Sequence, residues 1–169
     1  MNRTRDWMNA FLEQARSDWQ AYRLVDHSTL PPCHAMHYLQ MSTEKLAKAA
    51  LLAGGMKPDE LSKSHLAFTK FLRIAFRNRN LRVEMSMSGA QLRMHFANAL
   101  PLADAMEKLA PALSSGGVNA EYPWESPNGI VHTPATHSFE VIQDLSAPKG
   151  VNLLKDVALM LRKFEKLFG

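Results

Sequence analysis

Small and apolar residues recur every three or four positions in five separate stretches of this chain, which predicts an all-α protein. The first helix is read over about 4–26, with Thr4 as a cap and Asp6 in the first turn; Trp7, Phe11, Ala15, Trp19, Tyr22 and Val25 follow helical spacing. The second, over 30–54, has the clearest bounds. Pro31 and Pro32 suit a first turn, where a missing N–H costs nothing, with Ser28 or Thr29 as the cap, and Gly54-Gly55 supplies the stop. Ala35, Leu39, Ser42, Leu46, Ala49 and Ala53 share one face, small enough for a neighbouring helix to approach closely. Glu44 and Lys48 stand four apart in the favourable order. The short stretch His27-Ser28-Thr29-Leu30 between these helices predicts an antiparallel pair.

Residues 55–63 read as a linker with a turn of helix at Pro58 to Leu61. Ser64 is expected to cap a third helix, with His65, Phe68, Leu72 and Ala75 on one face. Residues 78–88 are polar and read as a loop. Ser88 is expected to cap a fourth helix over 89–113, kinked or split by Pro101. The stretch 114–150 is punctuated by Gly116, Gly117, Pro123, Pro127, Gly129, Pro134, Pro148 and Gly150, and reads as an irregular segment lying across the bundle. A last helix over 151–168 carries Leu153, Leu154, Val157, Leu161, Phe164 and Phe168. The expectation is a single domain over 1–169, an antiparallel bundle of about five helices with a long irregular segment before the last one.

At 169 residues the chain is long enough to bury a real core. Ten methionines read as adaptable core filler. The lone cysteine, Cys33, excludes an internal disulfide framework. The first residues are not followed by an apolar leader core, and no apolar run reaches the length of a membrane span, so a cytoplasmic location is expected. The net charge of +4 is unevenly placed: between Glu60 and His95, seven Lys and Arg residues face only Glu60 and Glu84.

Asp18-Trp19 near the end of helix one, the run from His37 to Ala49 (His-Tyr-Leu-Gln-Met-Ser-Thr-Glu-Lys-Leu-Ala-Lys-Ala), and Ser64-His65 resemble the HEPN superfamily over roughly the first 75 residues. The resemblance implies a four- or five-helix bundle, a homodimer, and links to RNA cleavage, nucleotide binding, toxin–antitoxin systems or nucleotidyltransferase partners. The ribonuclease members carry an Arg and a later His with four to six residues between them, usually on a late helix. No Arg here has that neighbour; three residues separate Arg23 from His27 and one separates Arg93 from His95. Family-type RNase activity is therefore not expected, and no catalytic residue is carried over.

Three constellations bear chemistry. Arg73, Arg77, Arg79 and Arg82, interleaved with Phe71 and Phe76, suit an RNA or nucleotide phosphate and form the leading binding site. Glu121, Tyr122, Trp124 and Glu125 place two carboxylates beside two aromatics, as a ligand pocket would, with Asn119 and His132 in support. His34 and His37, three apart on one helix, with Cys33, Glu44, His132 and His137 as further candidates, raise a divalent metal as the alternative cofactor, in a metal-dependent hydrolase. No other cofactor is indicated, since a glycine-rich phosphate loop is missing. A third reading is a protein-interaction partner of a nucleotidyltransferase or toxin–antitoxin system.

Overall fold

Two long helices form the frame of the computed structural model, which describes residues 3–61 and 65–169. α1 (Arg3–Asp26) runs antiparallel to α2 (Pro32–Ala53): Ser42 meets Ala15, and Lys48 reaches back to Phe11. The small-residue face of α2 is what lets the two backbones close up. The Ser42 hydroxyl donates to the Ala15 carbonyl at 2.9 Å, and both residues are fully buried. α2 buries 15 of its 22 residues and packs on α1 and four later elements, so it is the central rod of the fold. It opens at Pro31 without a side-chain cap; Ser28 instead turns the loop by bonding Val25 and Leu30. Gly55, at φ 94°, takes the left-handed conformation that ends the helix.

α3 (Pro58–Leu61) is the single expected turn, and Leu61 is buried. α4 (Ala67–Ala75) begins later than the sequence suggests. His65 precedes it and is exposed, and the expected cap at Ser64 lies outside the described residues. The cap is supplied from a distance. The buried Glu107 carboxylate accepts from the Phe68 and Thr69 backbone N–H groups at 2.6 and 3.3 Å, and from the Thr69 hydroxyl at 2.8 Å. Burial pushes the Glu107 carboxyl up from its ordinary value, against these three bonds, which favour its charge.

The stretch read as a loop holds another helix, α5 (Arg79–Glu84), capped by Asn78 on the Leu81 N–H. Its one large inward side chain, Leu81, is fully buried. α6 (Gly89–Glu107) starts with the reciprocal capping box of Ser88 and Gln91. It passes through Pro101 without splitting, because both Pro101 and the Ala97 carbonyl freed by the ring lie on the solvent side. It stops at Glu107, short of the expected 113. Thr4 is likewise inside α1 rather than its cap.

The segment expected to be irregular is largely organised. Asn119 accepts from the backbone of Glu121 and Tyr122, turning the chain into β1 (Trp124–Glu125), which pairs antiparallel with β2 (Val131–His132). A 3-10 turn (Pro134–Thr136) and α7 (Glu140–Ser146) follow. At the corner into α8 (Pro148–Arg162), a Cβ on Gly150 would stand 2.3 Å from the Asp144 carbonyl oxygen and the Leu145 Cα, so only glycine fits. The last helix also breaks at Lys163, and α9 (Phe164–Phe168) swings Phe164 and Leu167 into the core and Phe168 against Phe71. Nine α-helices among the described residues replace the expected five, although the all-α class stands. None of them is long and apolar enough to cross a membrane.

Candidate functional site

Most polar residues of the stretch from His37 to Ala49 are turned inward. Glu44 accepts from Gln40 at 2.8 Å and from Lys48 at 2.7 Å, and the Lys48 ammonium lies 5.6 Å from the Phe11 ring centroid. Lys45 binds Asp18 at 2.5 Å, where Gln14 donates to the other carboxylate oxygen. His65 stands 3.9 Å from Glu44 at the network's edge. Asp18, Glu44, Lys45 and Lys48 each have a close partner, so the group serves packing and register.

The basic stretch is arranged in the opposite way. Arg73 and Arg77, one turn apart on α4 and its C-terminal end, and Arg79 on α5 are exposed, and among the described residues none has a carboxylate within ion-pair reach. Glu84, the one acid on α5, is held by Lys163, at the break between α8 and α9, and by Lys166 of α9. Those two hydrogen bonds push its carboxyl down to about 2, so its charge is already answered and does not neutralise the arginines. Arg82 is drawn partly inward along the start of α6, and its Nε is buried without a hydrogen-bond partner.

Phe76 is the pivot of this face. The guanidinium carbons of Arg77 and of Arg93, from α6, each lie 5.7 Å from its ring centroid, so one aromatic steadies two cations. Beside them an open groove of about 570 Å³ is lined by Phe76, Ala90, Arg93, Met94 and Ala97. Arg93 belongs to the site although its place in the sequence, on a separate helix, gave no sign of it. Phe71, by contrast, is core.

A second hollow joins two groups predicted independently. Cys33, His34 and His37 on α2 face Glu121, Tyr122, Thr133 and Pro134 across an open cleft of about 330 Å³. His37 Nδ1 is 3.4 Å from the Glu121 carboxylate and makes no hydrogen bond. Trp124 and Glu125 do not join it. Successive strand residues point to opposite faces. Trp124 is therefore buried against His132 (5.5 Å, stacked) and His137 (4.9 Å, edge-on), while Glu125 is exposed. Among the described residues, no three His, Cys, Asp or Glu side chains are arranged to hold a metal ion. Burial pushes the Cys33 thiol up, away from the thiolate a metal would need. His132 and Asn119 are spent on local structure, the former bonding Ser126 at 3.0 Å.

One pair escaped the sequence altogether. His95 Nε2 meets the Asp156 carboxylate at 2.6 Å, joining α6 to α8 across 61 residues. Burial raises the Asp156 carboxyl above its ordinary value despite this bond. Comparison of the chain with models of known families, with curated proteins and with solved structures finds no match.

Proposed function

We propose that this protein is a binding module for the phosphate backbone of RNA, without ribonuclease activity of the HEPN type. Arg73, Arg77, Arg79 and Arg93 form the contact face, with Arg82 at its inner edge. The observation that carries this reading is the unanswered arginine surface: among the described residues Glu84, the acid on α5, is engaged by Lys163 and Lys166, and Phe76 holds two guanidinium groups in place. Guanidinium groups fixed in this way lose little freedom on meeting phosphate, and they can stack on bases. The HEPN resemblance of the first 75 residues supports the same reading, and on that ground we expect a homodimer.

The test is a titration of labelled single-stranded RNA at several salt concentrations, with the same samples run on a denaturing gel. Four or five phosphate contacts give a log–log salt slope of about −3. The RNA should stay intact. The double variant Arg77→Glu, Arg93→Glu should weaken binding at least about thirtyfold, close to 2 kcal/mol. A mononucleotide that competes at similar concentration would narrow the ligand to nucleotide phosphate. Unchanged affinity in the double variant would remove the face from consideration.

A further inference from the structure

On another side of α6 from Arg93, a smaller hollow gathers four polar side chains alongside Ala99 and Leu153. His95 and Asn98 of α6 face Lys149 and Asn152 of α8 across a hollow of about 130 Å³. Two residues along a helix is a rotation of roughly 200°, which separates this hollow from the arginine face. Among the described residues, Asn98, Lys149 and Asn152 make no side-chain hydrogen bond or ion pair with the protein. Among the described residues no carboxylate lines the hollow. Asp156, the nearest acid from either helix, is buried behind His95 and spent on its Nε2. That bond orients the ring and leaves Nδ1 as its unused nitrogen.

We infer that this hollow is a binding site for a tetrahedral oxyanion of phosphate type. The Lys149 ammonium supplies charge, and the Asn98 and Asn152 amide side chains supply directional donors beside it. Lys149 lies in the first turn of α8, where the helix field adds to the attraction, and Asn152 follows three residues on. The volume is a few times that of one water, about 30 Å³ in the liquid. This leaves room for a phosphate-sized group. The tight corner at Gly150 fixes the backbone next to Lys149, so the site is set by rigid elements rather than by a loop.

The test uses inorganic phosphate on the full chain, followed by amide and side-chain chemical shifts in ¹⁵N-labelled protein. Saturable shifts confined to the Asn98 and Asn152 side-chain amides and the start of α8 are expected. Lys149→Met should weaken binding at least about tenfold, and Asn152→Leu severalfold. The Arg77→Glu, Arg93→Glu variant should bind phosphate as the wild type does, which separates this site from the arginine face. Dimethyl phosphate distinguishes the source. If it binds as inorganic phosphate does, the natural ligand is a backbone diester; if only the dianion binds, it is a free or terminal phosphate. Shifts that do not saturate, or that are unchanged in Lys149→Met, would overturn the inference.

Discussion

α2 and the face made by α4, α5 and α6 use the same residue types to opposite ends. On α2, Glu44, Lys45 and Lys48 are sealed between helices, each within 2.5 to 2.8 Å of an opposite charge or an amide. On the other face, among the described residues, Arg73, Arg77 and Arg79 stand in water without a carboxylate, and the nearby Glu84 is answered by Lys163 and Lys166. A charge with a buried partner is part of the scaffold. A charge whose natural partner has been taken elsewhere is available to a ligand. The residues from His37 to Ala49 on which the family expectation rests belong to the first group, which is why they speak to architecture more than to chemistry.

The comparison is broken most directly inside α2. Glu44→Leu should strand the Lys48 ammonium and cost about 3 kcal/mol in urea unfolding. Adding Lys48→Met should recover most of that loss. If the single variant is as stable as the wild type, the α2 charges are not a paired interior. Asn78 stands at the border between the two regions: it caps α5 and also donates to the Leu167 carbonyl at 2.9 Å. Asn78→Ala should cost about 1.5 kcal/mol, read by the same unfolding curve.

Acid offers a smaller effect at Glu84. Its carboxyl titrates near 2 in the folded chain, below the ordinary carboxylate range, so its contribution to stability is present above that range. The contribution is lost as pH falls from about 4.5 towards 2. Melting temperatures over that window should fall less steeply in Glu84→Gln than in the wild type. The least change is expected from Arg77→Glu with Arg93→Glu, whose stability should stay within about 0.5 kcal/mol of the wild type. A large loss there would mean that the arginines are scaffold too.

How much of this could be read in advance depended on whether the signal was local. The start, stop and small face of α2 are all written within 25 residues, and so is the Ser88–Gln91 cap. α5 was missed because six residues carry only one buried anchor, Leu81, among arginines and asparagines. The proline and glycine punctuation of 114–150 marks irregular chain, yet it is silent on the pairing of Trp124 with His132. At the surfaces, Arg77 was visible as part of a dense run, and His37 and Glu121 were each visible alone. Their meeting was not, nor was Arg93 beside Phe76, nor His95 with Asp156, because these depend on how separate helices dock.

The corner at Gly150 has a consequence for anyone diversifying this protein. A library randomised at that position should return a single letter, since even a methyl group would overlap the Asp144 carbonyl and Leu145. Its neighbour Lys149, which holds nothing of the scaffold in place, should accept almost any residue if foldedness is the only selection. A persistent preference for lysine at 149 beside an invariant 150 would then record selection for a ligand.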